Sequence, residues 1–207
     1  SCPLSLTIAS GMDAVTQLLE SYVSTKSTPF TDQLALYGLK LAGRGLPRLV
    51  KNTEDMDARS DMAYTAYLSG ITLANAGLGV VHGAASVLGS MRSIPHGVVC
   101  GTLLGSATEV IIGKLTESPD SENNKSLIKF SEAGTALTGN KKTNVKEGCI
   151  NLIIILKTWV NKYKISRLSE YGFTKKDLTD SSKKTGLKNT PFPLEPEDVL
   201  SILLDRL

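Results

Sequence analysis

Apolar positions along this chain recur at intervals of three and four. In the stretch 11–22, Val15, Leu18, Leu19 and Tyr22 stand at i, i+3, i+4 and i+7, lining one face of an α-helix. Pro29 then breaks the chain. Thr31-Asp32 offers a capping start for a helix over 33–42, and Pro47, beyond two glycines, marks the next boundary. The stretch 55–75 reads as a long helix with Met62, Ala66, Ser69 and Leu73 on one side. Its many small residues allow neighbouring helices to approach closely. Gly77 and Gly79 end it.

A short helix is predicted over 81–91 and a longer one from His96 to Leu115, opened by Pro95. The polar stretch 119–125 reads as a loop. Helices follow over 126–137 and 145–163. Within the latter, Ile150-Asn-Leu-Ile-Ile-Ile-Leu156 is locally β-branched, but the pattern continues to Trp159 and Val160, which favours helix by length. The stretches 174–184 and 195–207 complete the chain, separated by Asn189-Thr-Pro-Phe-Pro193. No alternating strand pattern, repeat or low-complexity tract interrupts this order. The predicted fold class is all-α, a multi-helix, bundle-like domain over 1–207.

Composition narrows the function classes. With 23 basic and 20 acidic residues, the net charge of +3 lacks the clustered lysine and arginine of a nucleic-acid or anionic-membrane surface. The nearest approaches, Lys141-Lys142 with Lys146 and Lys175-Lys176 with Lys183-Lys184, read as solvated helix ends and loops. Cys2, Cys100 and Cys149 form no C-x-x-C pair, and their odd number argues against a disulfide framework; reduced thiols fit a cytoplasmic protein. The longest apolar run, Cys149 to Leu156, is too short for a membrane span. The opening Ser1-Cys2-Pro3 shows no secretory signal and runs almost at once into a functional-looking helix, as a domain excised from a longer protein would.

The chemistry concentrates in one place. The chain has two histidines, His82 and His96, and both fall in a single glycine-rich run, 77–97. Imidazole is the commonest side-chain metal ligand. A carboxylate, Asp13, sits near the start of the first predicted helix. One acid and two imidazoles brought to a point suit a divalent metal that polarises an oxygen. Taken singly, each residue also has a purely structural reading: Asp13 as a first-turn acid favoured by the helix dipole, His82 as a satisfied core histidine, His96 as a locally bonded helix start.

The stretch Gly11-Met-Asp-Ala-Val-Thr-Gln-Leu-Leu-Glu-Ser-Tyr-Val-Ser24 resembles the helix that begins the carboxy-terminal domain of iron-containing (group III) alcohol dehydrogenases. Pro29-Phe-Thr-Asp32, Leu46-Pro47, Ala74-Asn-Ala-Gly-Leu-Gly79, His82, Pro95-His-Gly97, Leu103-Leu104, Tyr171-Gly-Phe173 and Asn189-Thr-Pro-Phe-Pro-Leu194 follow in the family's order. The resemblance implies a dehydroquinate synthase-like α-helical domain that holds the metal. It implies a separate amino-terminal domain for NAD or NADP, absent from this chain, and a cleft between the two. It further implies alcohol and aldehyde substrates, and self-association into a homo-oligomer.

By the same resemblance, Asp13, His82 and His96 are metal ligands and catalytic residues. Most iron-binding members place a histidine where Gln17 stands, so Gln17 is a doubtful ligand. Ser86 occupies a position near the nicotinamide where many members have another histidine. An Asp/His/His set accommodates Fe²⁺ or Zn²⁺. The glycines at 79, 83 and 97 would permit close backbone packing beside it. Two other readings remain open: a metal-independent reductase of the same family, resembling maleylacetate reductases, and a non-catalytic helical interaction module, which Gln17 and Ser86 support.

Overall fold

The computed structural model describes residues 2–118, 121–140 and 144–207, and the chain is helical throughout, with no strand among them. Pro119 and the pair Lys141-Lys142 lie outside the described residues; Lys146, Lys175, Lys176, Lys183 and Lys184 are exposed, as a solvated role requires.

The first helix, α1 (Leu4–Val23), buries Val15, Leu18, Leu19 and Tyr22 as the stripe predicts, together with Met12. It starts a full two turns earlier than Gly11. Asp13 therefore sits in mid-helix, where no terminal dipole explains it, and the first turn holds no acid. The next helix, α2 (Pro29–Lys51), begins before the predicted Thr31-Asp32. Thr28 and Thr31 form a reciprocal capping box and Pro29 takes the first helical position, where its missing N–H costs nothing. Pro47 does not end α2. Burial of Leu46 and Leu49 on either side holds the helix through a residue that removes one ladder hydrogen bond.

Helix α3 (Met56–Ala76) is capped by Asp55, but its buried face is Thr65, Leu68, Ser69, Thr72 and Ala76. Ala66 is exposed, and Met62 and Leu73 are only partly buried. Threonine hydroxyls can enter this interface because each bonds its own helix, Thr65 to the Asp61 carbonyl and Thr72 to that of Ser69. Gly77, at φ 73°, terminates α3 in the left-handed region open to glycine. The chain then bends by 98° into α4 (Val80–Met91). Helix α5 (His96–Glu117) follows Pro95. It is long and apolar enough to cross a membrane, yet 72% of its most apolar window is packed inside the protein.

Helix α6 (Ser121–Thr138) overrides the predicted loop, since 121–125 is helical. Helix α7 (Val145–Lys162) confirms helix for the β-branched run 150–156. A 3₁₀ turn (Leu168–Tyr171), α8 (Lys175–Ser182) and α9 (Pro196–Leu204) complete the order; the sequence pattern does not reveal the 3₁₀ turn. Helix α1 runs through the middle, packed against α2, α3, α5 and α6, while α4 rests on α5 and α8. Lys129 ties α6 to this centre by bonds to Asp32, Ser27 and the Tyr22 carbonyl. At the other end, Arg206 donates to Thr102 of α5 and to the Ile165 carbonyl.

Candidate metal centre

Three helices carry the chemistry. On α1, Asp13, Gln17 and Glu20 stand at i, i+4 and i+7 and share one face. On α4, His82 lies in the first turn; on α5, His96 opens the helix and Cys100 follows one turn later. Two glycines set how closely neighbouring backbone approaches the histidines. A Cβ at Gly97 would overlap the Ala9 carbonyl of α1, and one at Gly83 would overlap the Gly186 carbonyl of the loop before 189. Backbone therefore lies against backbone immediately beside each histidine. Gly79 is tight too, with a Cβ there 3.1 Å from Glu20 Oε1.

The structure brings Asp13, His82 and His96 together. Asp13 Oδ1 lies 3.4 Å from His82 Nε2 and 3.5 Å from His96 Nε2, with ring centroids 5.3 Å apart. His82 is buried, whereas the His96 side chain is 53% exposed, so the centre opens to solvent on the His96 side. Cys100 Sγ joins them, 3.7 Å from His82 Nε2 and 3.4 Å from His96 Nε2. One donor atom from each of the four residues lies within 4.8 Å of every other.

Around this cluster, hydrogen bonds orient His82 and Asp13. Glu20, buried with His82, accepts from the Val81 N–H at 2.7 Å and lies 2.7 Å from His82 Nδ1. Holding Nδ1 with a carboxylate directs Nε2 toward Asp13, the arrangement that fixes tautomer and ring orientation in metal-ligating histidines. Gln17 donates to Asp13 Oδ2 at 3.0 Å, and its carbonyl accepts from Ser69 at 2.8 Å. Both ends of its amide are thus engaged, and it orients Asp13 from the side. Ser86 is exposed one turn past His82, its hydroxyl bonded to the His82 carbonyl.

Within this centre, Asp13 Oδ1 is buried without any hydrogen bond. An unpaired carboxylate oxygen is costly, and this one faces two imidazoles. Burial disfavours the imidazolium of His82, but the proximity of Asp13, Cys100 and Glu20 outweighs that and pushes its pKa up to about 12. Burial alone would raise the Asp13 carboxyl, yet the nearby His82 and the charge of His96 hold it below the usual carboxylate range. Burial pushes the Cys100 thiol up to about 11. A divalent cation among these donors would satisfy Asp13 Oδ1, and one carboxylate with two imidazoles is a donor set such an ion takes, so the residues present fit it.

Two residues escape a reading of the sequence that concentrates on histidine. Cys100 is signalled by its spacing, four residues after His96 on one helical face. Glu20 is signalled more weakly, as the third polar residue on the Asp13–Gln17 face.

Residues 7–207 match the family described as the Fe-containing alcohol dehydrogenase family, C-terminal. Alcohol dehydrogenase 4 of Saccharomyces cerevisiae is 45% identical over 107 residues, 52% of this chain and 28% of that protein. The NAD-dependent methanol dehydrogenase of Bacillus methanolicus is 43% identical over 96 residues, 46% of this chain and 25% of that protein. Among solved structures, a 1,3-propanediol oxidoreductase superposes with a TM-score of 0.88 at 26% identity, covering 100% of this chain and 53% of the other. An alcohol dehydrogenase from Oenococcus oeni gives 0.84 at 27%, covering 100% and 52%. The chain thus spans about half the length of its solved relatives. Matched over nearly its whole length and helical like its relatives, the chain belongs to the iron-containing alcohol dehydrogenase family and carries its C-terminal helical region.

Proposed function

We propose that this chain is the metal-binding half of an NAD(P)-linked alcohol dehydrogenase that interconverts small alcohols and aldehydes in the cytoplasm. The observation that carries the reading is the partnerless Asp13 Oδ1, 3.4 and 3.5 Å from two imidazole nitrogens. Asp13, His82 and His96 would hold Fe²⁺ or Zn²⁺. A divalent ion at such a site polarises an alcohol oxygen and so favours hydride departure from its carbon. Gln17 and Glu20 keep the carboxylate and the His82 ring aimed. Ser86, exposed on α4 one turn past His82, would lie toward the nicotinamide, as the family resemblance implies. The half that binds the dinucleotide lies outside these 207 residues, in keeping with a chain that covers about half of its solved relatives. The isolated chain accordingly does not turn over.

The test is metal content and activity together. Purified full-length protein is expected to hold about one iron or zinc per chain, to oxidise small alcohols with NAD⁺ or NADP⁺, and to lose activity on chelation and regain it with metal. Sustained turnover without metal points instead to a metal-independent reductase, and no turnover at all to an interaction module.

Glu20 gives a graded version of the same test. Glu20→Gln keeps the shape but weakens the bond to His82 Nδ1. Metal affinity is expected to fall about 10- to 100-fold, the range for outer-shell partners of ligating histidines. Competition against a chromogenic chelator measures it. An unchanged affinity removes Glu20 from the machinery.

A further inference from the structure

We propose that Cys100 is a fourth ligand of this centre, completing an Asp13–His82–His96–Cys100 set that selects zinc over iron. The inference rests on the metal-binding reading above and adds a ligand to it. Four observations carry it. Cys100 is fully buried, yet its sulfur lies against two imidazole nitrogens. It stands one turn after His96 on the same face of α5, so one helix presents both donors. Gln17 cannot serve in its place without giving up its bonds to Asp13 and Ser69.

The fourth observation is metric. Zinc bonds of about 2.0 Å to nitrogen or oxygen and 2.3 Å to sulfur give tetrahedral edges of roughly 3.3 Å between nitrogen or oxygen donors and roughly 3.5 Å from these to the sulfur. The separations Asp13 Oδ1–His82 Nε2, Asp13 Oδ1–His96 Nε2, Cys100 Sγ–His82 Nε2 and Cys100 Sγ–His96 Nε2 are 3.4, 3.5, 3.7 and 3.4 Å. These four separations lie within about 0.2 Å of the corresponding edges, and all four donor atoms lie within 4.8 Å of one another.

The donor set decides the metal. A soft thiolate favours zinc over Fe²⁺, and the general order of divalent affinities runs the same way. It also bears on access. Asp13, His82 and His96 alone leave a coordination position open, whereas a fourth protein ligand closes the tetrahedron. Cys100 must then yield, or the coordination number rise, before an alcohol oxygen reaches the ion.

Cobalt reports thiolate ligation directly. Full-length protein titrated with Co²⁺ is expected to show a sulfur-to-cobalt charge-transfer band in the near ultraviolet, saturating at one equivalent. Cys100→Ser should abolish the band and weaken Zn²⁺ binding at least tenfold. Cys149→Ser should leave both unchanged, because Cys149 sits on α7, bonded to the Leu127 carbonyl. Zinc K-edge absorption on the unaltered protein supplies a measurement independent of any variant, with one sulfur neighbour expected near 2.3 Å. Cobalt that binds at one equivalent without the band, or zinc with no sulfur neighbour, overturns the Cys100 assignment and leaves the three-ligand site standing. If the unaltered protein binds neither metal, the metal-binding reading falls and this proposal falls with it.

Discussion

Replacing His82 with alanine in the full-length protein is expected to abolish metal binding and to lower kcat/KM for alcohol oxidation at least about a thousandfold. That factor corresponds to roughly 4 kcal/mol of transition-state stabilisation, within the several kcal/mol a metal Lewis acid supplies. His82 is the more buried imidazole of the centre and lies against Asp13, Glu20 and Cys100. Its loss leaves the buried Glu20 carboxylate without its side-chain partner. Breaking a buried pair by removing one partner costs about 3–5 kcal/mol, so the unfolding midpoint should fall as well. Asp13→Asn separates the two effects, since it removes the carboxylate charge with little change in shape. Metal content and kcat/KM should collapse in both variants, stability chiefly in His82→Ala. A His82→Ala protein with full metal and full kcat/KM would sink the proposed mechanism.

Much of this arrangement is legible in the residues, and the places where it is not share a cause. The stripe of α1 is visible because leucine and valine mark its buried face. The face of α3 is displaced from the expected one because threonine and serine line it, and their hydroxyls become buriable only through bonds to the helix's own carbonyls. Pro47 reads as a stop, since local chemistry says nothing of Leu46 and Leu49 being held from outside. At the centre, Asp13, His82 and His96 stand out by rarity and by resemblance to a family. Cys100 is hidden by reading cysteines for disulfides rather than for spacing to histidine. Glu20 is hidden because its partners, Val81 and His82, lie some sixty residues away in sequence.

The second large effect concerns a residue that holds no metal and carries no charge. Gly97→Ala places a methyl group on the Ala9 carbonyl of α1, a backbone atom that no rotamer change can clear. Helix α5 must lift from α1, and it carries His96 and Cys100 while α1 carries Asp13. Overpacking of this kind costs about 1–3 kcal/mol of stability. The functional cost is expected to be larger, about 100-fold in kcat/KM, because misplacement of about 1 Å is enough for that loss. Gly89→Ala on α4 and Gly70→Ala on α3 provide the contrast, since a Cβ at either meets nothing within 4 Å. Alanine in an open helix interior is favoured over glycine by up to about 1 kcal/mol, so these two should melt slightly higher with unchanged kcat/KM. Activity surviving in Gly97→Ala alongside lost stability would mean that the centre tolerates displacement of α5. Loss of activity in Gly97→Ala alone, with Gly89→Ala and Gly70→Ala intact, would show that the close approach of α1 and α5 is what sets the distance between Asp13 and His96.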